Sequence, residues 1–175
     1  VTAGKNLIVT GSGHDFVNVS GALKGDRAGS GWTNWGSYTY SNEIMTGAGN
    51  DTVALTGGTA MIDGTRVDLG AGNNLAVVGP LAAGTTAGGT VSMNPSSWGA
   101  SSAIMEYSEI TSGAGNDTIL IHGEIFNTRI ATAAGDDVVC VSQDVAGKSL
   151  IDVGTGNNAV TIRGSLDGSY VQAGN

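Results

Sequence analysis

A chain of 175 residues is long enough for one domain with a sizeable core, and 30 of those residues are glycine, so the excess needs a backbone explanation. The formal net charge is −8 with only 7 lysines and arginines, which argues against nucleic acid as a partner because no basic stripe is available to neutralise phosphates. The single cysteine, Cys140, excludes an internal disulfide or a zinc cluster, and no apolar run reaches the roughly 18 residues of a membrane span.

The first predicted element is a glycine turn followed by a short strand. The motif "TGSGHDFVNVSG" covers residues 10–21 and places Val17 and Val19 two and four positions after Asp15. Alternation at period two with β-branched residues indicates a strand with one buried face, whereas a helix would need apolar residues three and four positions apart. A stretch of extra residues, about 24–42, follows this strand.

The same element recurs five more times along the chain. Motifs two and three cover residues 46–57 and 69–80, a second stretch of extra residues covers about 82–108, and the last three motifs begin at 112, 132 and 153. Each motif has an Asp or Asn anchor with a glycine two positions before it and apolar residues two and four positions after it. The six anchors are Asp15, Asp51, Asn74, Asp117, Asp137 and Asn158.

The spacing of the anchors predicts the fold. The last two intervals are 20 and 21 residues, a unit too short to bury its apolar face alone. We therefore predict an all-β chain folded as a parallel β-helix or β-roll solenoid, one module over residues 1–175 with two long insertions. Because the chain starts at Val1 and "YVQAGN" stops partway through a repeat, we expect it to belong to a longer or a polymeric protein.

Two motifs carry a family resemblance. "TGAGNDTVA" (46–54) and "SGAGNDTIL" (112–120) resemble the nonapeptide of the repeats-in-toxin, or haemolysin-type calcium-binding, family, G-G-x-G-x-D-x-U-x. The resemblance implies a secreted bacterial protein whose turn carbonyls and motif aspartates enclose Ca²⁺, a cation that takes six to eight oxygen ligands. Carried over by position, the metal-binding carboxylates are Asp15, Asp51, Asp117 and Asp137, and Asp136 joins Asp117 and Asp137 in the strongest candidate site.

A metal-free interpretation of the same anchors stays open. Asp and Asn favour turns without any metal because their side chains bond nearby backbone groups, so the anchor column could be a ladder of side-chain hydrogen bonds. Asp68 and Asp152 stand six positions before the two Asn anchors. Either a carboxylate has moved to the other end of the turn, or these two residues only bond local backbone amides.

The two insertions hold six of the nine aromatic residues of the chain. Excursions from a solenoid often carry binding, and aromatic side chains offer a large contact area at little entropy cost. The predicted ligand-binding or partner-binding residues are Trp32, Trp35, Tyr38, Tyr40 and Trp98. The alternative is that these side chains cover a coil edge or pack against each other.

These observations favour a non-enzymatic function. We expect a structural or adhesive module located outside the cell or at its surface, stabilised by Ca²⁺ and associating head to tail with copies of itself or with neighbouring repeats. An alternative is a module that binds a glycan or a cell-surface protein through its aromatic insertions. A more distant alternative is a polysaccharide-active enzyme, since some β-solenoids degrade polysaccharides.

Overall fold

The chain folds as a parallel β-solenoid. The computed structural model describes residues 5–25, 40–56, 61–79 and 103–174. Within these ranges it contains seventeen strands and no helix, and every strand pairs with its neighbours in parallel. The predicted all-β parallel architecture is confirmed. Among the described residues no helix has the length and hydropathy needed to cross a membrane.

The strands form three sheets. Sheet A has seven strands: β1 Asn6–Ser12, β3 Asn42–Ala48, β6 Thr65–Asp68, β9 Glu109–Thr111, β12 Arg129–Ala131, β15 Leu150–Asp152 and β17 Tyr170–Gln172. Sheet B has six: β2 Phe16–Val19, β4 Thr52–Leu55, β7 Leu75–Val78, β10 Thr118–Ile121, β13 Val138–Val141 and β16 Ala159–Ile162. Sheet C has four: β5 Met61–Asp63, β8 Ala103–Glu106, β11 Gly123–Phe126 and β14 Val145–Ala146.

Each coil of the solenoid takes the chain from sheet A through a glycine corner to sheet B, and then through sheet C back to sheet A. We number the coils 1 to 6 by their first strands, which are β1, β3, β6, β9, β12 and β15; β17 starts a further turn. The register keeps equivalent residues side by side, so Ile119 lies next to Ala76 on one side and Val139 on the other. Isolated bridges extend sheet C to Leu23 and Leu166.

The apolar positions after the anchors face the interior, as predicted. Nine of the twelve are buried members of one core cluster, and the other three, Val19, Val160 and Ile162, are partly buried against it. The nine are Val17, Val53, Leu55, Ala76, Val78, Ile119, Ile121, Val139 and Val141. Stacked aliphatic columns of this kind supply the hydrophobic stabilisation that a single coil lacks.

Sheet B differs from the simple alternation. Strands β4 and β7 are buried on both faces, and Leu75, Val77, Leu120 and Cys140 form a second buried cluster. Parallel strands that are buried on both faces are continuous apolar runs, as in "LAVV" at 75–78. The expectation of a single buried face is therefore wrong for the middle of this sheet.

The structure also refines the edges of the predicted insertions. Asn42 already begins β3, so the first insertion ends before this residue. Ala103–Glu106 is a sheet C strand paired with β5 and β11, so coil 3 resumes before residue 108. Insertion residues 26–39 and 80–102 lie outside the described residues.

Candidate functional site at the glycine corner

The six glycine corners stack along one edge of the solenoid. The glycine two positions before each anchor has a φ between 122° and 149°, a conformation that L side chains rarely adopt. A Cβ atom on Gly135 would also overlap the carbonyl oxygen of Gly115 in the coil before it. Positive φ explains why this position is glycine in all six corners, and close backbone approach adds a second reason in every corner except that of Gly13.

The anchor side chains form a ladder along the corners, which we call the inner ladder. The backbone N–H of each anchor except the last, Asn158, donates to the side-chain Oδ1 of the anchor in the following coil. The donor–acceptor distances are 2.8 Å for Asp15 to Asp51, 3.0 Å for Asp51 to Asn74, and 2.9 Å for Asn74 to Asp117, Asp117 to Asp137 and Asp137 to Asn158. The ladder satisfies backbone donors at the tight corners, where four of the six anchors are buried.

The residues just before the anchors form a second ladder, the outer ladder, with the opposite polarity. Here the backbone N–H donates to the side chain of the preceding coil. The distances are 2.9 Å for Asn50 to His14 Nδ1, Asn73 to Asn50 and Asp136 to Asn116, and 2.8 Å for Asn116 to Asn73 and Asn157 to Asp136. His14 fits a column of Asn and Asp because its Nδ1 accepts as a side-chain oxygen does. All six side chains are exposed.

The two ladders separate the three carboxylates of the strongest predicted metal site. Asp117 and Asp137 are buried in the inner ladder, whereas Asp136 is exposed in the outer ladder and accepts from both nitrogens of Asn157. The described residues contain no group of three or more His, Cys, Asp or Glu side chains able to hold a metal ion.

Asp and Asn anchors differ in what their second side-chain atom does. The Asn74 amide nitrogen donates to the carbonyls of Gly72 and Gly70 at 2.9 and 3.3 Å, and Asn158 makes longer contacts of 3.5 and 3.4 Å to Gly156 and Gly154. At the Asp anchors the second atom is Oδ2, a buried acceptor with no hydrogen-bond partner at Asp15, Asp51, Asp117 and Asp137. A buried acceptor without a donor is costly, on the order of 1–3 kcal/mol.

The residue five positions before the anchor changes together with the anchor. It is Thr10, Thr46, Ser112 or Thr132 where the anchor is Asp, and buried Leu69 or Val153 where the anchor is Asn. The sequence therefore encodes two kinds of corner, one with a hydroxyl and a carboxylate and one with an aliphatic and an amide.

The Asn corners explain Asp68 and Asp152. Gly70 and Gly154 are left-handed, with φ of 66° and 56°, and the N–H of each donates to the Oδ1 of Asp68 and Asp152 respectively, at 3.2 Å. Asp68 also pairs with Arg66 at 3.0 Å. Of the two interpretations of these acids, local bonding to a backbone amide is the one that the structure shows.

Burial raises the pKa of the Asp117 carboxyl. The opposing contributions come first from the nearby Ser112 hydroxyl and then from the Asn74 backbone, while the negative charge of Asp137 adds to the increase. The Ser112 hydroxyl lies beside the carboxylate, but the geometry of a hydrogen bond is not met between them. Burial therefore disfavours the charged form of Asp117.

A further column of hydroxyl side chains, at the entry to sheet A, has no counterpart in the predictions. The backbone N–H of Thr65, Thr128 and Ser149 donates to the Oγ of Ser108, Ser149 and Ser169, at 3.1, 3.1 and 3.0 Å. The residue before each hydroxyl is left-handed, with φ between 46° and 69°: Gly64, Tyr107, Asn127, Lys148 and Gly168. The signal in the sequence is a Ser or Thr at the start of β6 and immediately before β9, β12, β15 and β17.

The predicted aromatic binding residues are only partly placed. Trp32, Trp35, Tyr38 and Trp98 lie outside the described residues, and Tyr40 is half-buried at the start of the path into β3. The binding prediction for these five residues stays a prediction.

Charged residues on the outer face of sheet A pair with one another. Glu109 lies between Arg66 and Arg129 in adjacent strands, at 3.5 and 2.6 Å. These partly exposed pairs stabilise the register of the sheet only modestly. No protein-family model, curated protein or solved structure matches this chain.

Proposed function

We propose that this chain is a structural module, a solenoid segment that extends by association of its ends. The observation that carries the proposal is the placement of exposed apolar side chains. Of the seven large hydrophobic residues exposed among the described ones, six lie at the two ends of the solenoid and only Phe126 lies between them. The six are Leu7, Val9 and Phe16 at one end and Leu166, Tyr170 and Val171 at the other.

The construction of the coils supports a structural rather than a catalytic role. Both ladders join each coil to the next, and each coil adds about 4.8 Å along the axis. The acidic anchors take part in these ladders, and Arg66 and Arg129 pair with Glu109. We place the module outside the cell or at its surface on the strength of the family resemblance, with other copies or neighbouring repeats as partners.

Light scattering over a concentration series tests this function. Association through the ends produces particles whose mass increases with protein concentration and whose length, but not width, increases in electron micrographs. A particle that keeps the monomer mass at every concentration contradicts the proposal. The alternative of a glycan-binding or protein-binding module is tested separately by a glycan array with Trp35→Ala and Trp98→Ala.

A second candidate function is stabilisation by calcium at the Asp corners. Its support is the set of partnerless Oδ2 atoms: the second side-chain atom of Asn74 is an amide nitrogen bonded to the Gly70 and Gly72 carbonyls, whereas at each Asp anchor it is a buried oxygen without a partner. A carboxylate oxygen is a ligand that a hard cation prefers. Calcium bound there would stabilise the folded chain because the unfolded chain has no such site.

Thermal unfolding with and without calcium tests this candidate. Millimolar Ca²⁺ is expected to raise the melting temperature and EDTA to lower it. Asp117→Asn is expected to reduce the increase, whereas the matched change Asp136→Asn in the exposed outer ladder is expected to leave it intact. A melting temperature that responds to neither Ca²⁺ nor EDTA leaves the ladder without a metal.

A further inference from the structure

The two ladders end in complementary groups at the two ends of the solenoid. At the coil 1 end, no described residue donates to Asp15 Oδ1 and none accepts from the His14 backbone N–H. At the coil 6 end, the Asn158 N–H and the Asn157 Oδ1 are likewise without partners among the described residues. Since the ladders have opposite polarity, coil 1 placed on coil 6 matches a donor with an acceptor in both of them.

The interior columns are also complementary. Coil 1 ends the aliphatic columns with Ile8, Val17, Val19 and Leu23, of which all but Val17 are only partly buried. Coil 6 ends three of these columns with Val160, Ile162 and Leu166, whereas the fourth continues past Ile151 to Val171 of β17. Contact between the two ends would continue each column with another aliphatic side chain and remove apolar surface from water.

The order of the anchors supports the same register. Along the six coils it is Asp, Asp, Asn, Asp, Asp, Asn. A second copy on coil 6 continues this order by placing Asp15 next to Asn158, so that three carboxylates never follow one another. Gly13 is compatible with this register: its φ of 140° already favours glycine in the single chain, and nothing lies within 4 Å of a Cβ atom built there, so there is room for the backbone of a neighbouring copy.

One strand prevents simple addition of a second copy. Sheet A has seven strands, one more than the number of corners, and β17 occupies the edge of β15 on which a second copy's β1 would pair. The three residues of β17 are all exposed, whereas β1 is a strand of seven residues. If the second copy's β1 replaced β17, its Leu7 would lie beside Leu150, where Tyr170, 66% exposed, lies in the single molecule.

We propose that coil 1 of a second copy stacks in register on coil 6, with the second copy's β1 taking the place of β17. The inference rests on the proposed function and adds its contact surface and its register. Such a contact joins two different surfaces of the same chain, so it does not close on itself and produces an open-ended filament. In the single molecule β17 covers the edge on which the filament would grow.

Variants with one blocked end test the stacking. Ile8→Lys places a charge at the coil 1 end of a core column and Val160→Lys does so at the coil 6 end; in the single molecule each lysine can reach water through the open end. Gly13→Ala is a second coil 1 variant, because its added methyl group meets nothing in the single molecule but would meet the Gly156 carbonyl of the neighbouring copy. Circular dichroism confirms that each variant is folded.

We expect each blocked variant to remain a monomer under conditions in which the unmodified chain assembles. An equimolar mixture of Ile8→Lys and Val160→Lys should form particles of twice the monomer mass and no larger, because each supplies the open end that the other lacks. Hydrogen exchange should show that the Tyr170 and Gln172 amides lose protection on assembly.

The outcomes separate this inference from the function on which it rests. If the unmodified chain assembles but the mixture does not pair, or if β17 stays protected, the stacking in this register is overturned and association of the ends stands. If the unmodified chain never assembles, both fail.

Discussion

Asp117 shows how the corner column balances burial against hydrogen bonding. Its Oδ1 accepts the Asn74 N–H at 2.9 Å, but its Oδ2 is buried without a partner and its pKa is raised by burial. An Asn at the same position would keep the accepted hydrogen bond and offer the two donors that Asn74 uses. The Asp therefore costs stability whenever it is ionised and no cation is bound.

Asp117→Asn is expected to change how stability depends on pH. A carboxyl whose folded pKa lies above its ordinary value of 3.8 binds more protons in the folded than in the unfolded state between those two pKa values, so stability falls as pH rises through that window. The variant lacks this decrease in stability. At pH values above the window it should be more stable than the unmodified chain by about 1 kcal/mol or more.

Urea unfolding at a series of pH values in EDTA measures this difference. Asp136→Asn, an exposed outer-ladder change of the same chemistry, is the control for the loss of one carboxylate. Parallel pH profiles for Asp117→Asn and the unmodified chain would show that the buried carboxyl is not the cause.

At the scale of the element, the sequence was sufficient to predict the corner and the strand after it. Glycine two positions before each anchor and apolar residues at two and four after it have a single physical explanation, a tight turn into a strand with an inward face. The entry corner of sheet A escaped prediction because its left-handed position is held by residues as different as Gly64, Tyr107 and Lys148. The polarity of the two ladders could not be predicted from the sequence either, because it depends on which coil supplies the acceptor.

The alternation rule failed where tertiary packing overrides it. Leu120 and Cys140 point away from the main core of sheet B and are nevertheless 5% and 3% exposed. A two-residue period identifies the inner face of a strand, but it cannot show whether another part of the chain covers the outer face. The predicted insertion of about 82–108 also includes the whole of β8, which belongs to sheet C.

Gly135→Ala and Gly13→Ala separate backbone strain from steric overlap in the corner element. Both glycines have a positive φ, 149° and 140°, but a Cβ at Gly135 overlaps the Gly115 carbonyl while a Cβ at Gly13 meets nothing. Gly13→Ala should cost about 1–2 kcal/mol from strain alone. Gly135→Ala should cost a further 1–3 kcal/mol or more because the backbone of one coil must move. If urea unfolding of the monomer shows that both variants lose the same free energy of unfolding, overlap with the neighbouring coil adds no cost.

For the whole molecule, a stack in which each coil touches only its neighbours should be most stable in the middle and least stable at the ends. Ile110 and Ile8 allow a matched test, because they occupy the same sheet A column in coils 4 and 1. Ile110 is 0% exposed and lies between two coils, whereas Ile8 is only partly buried and has a neighbour on one side.

Ile110→Ala is expected to destabilise the monomer by about 2–5 kcal/mol, the usual cost of a cavity in a packed core. Ile8→Ala should cost less than half as much, because the end coil already exposes part of the side chain and can relax around the change. Urea unfolding at a concentration too low for assembly measures both, and equal losses would mean that the end coil is covered in the single molecule. At high concentration the stability losses of the two variants should become similar, because a stacked copy would enclose Ile8 as the adjacent coils already enclose Ile110. Ile8→Ala should then weaken assembly, while Ile110→Ala should leave the contact between folded copies unchanged.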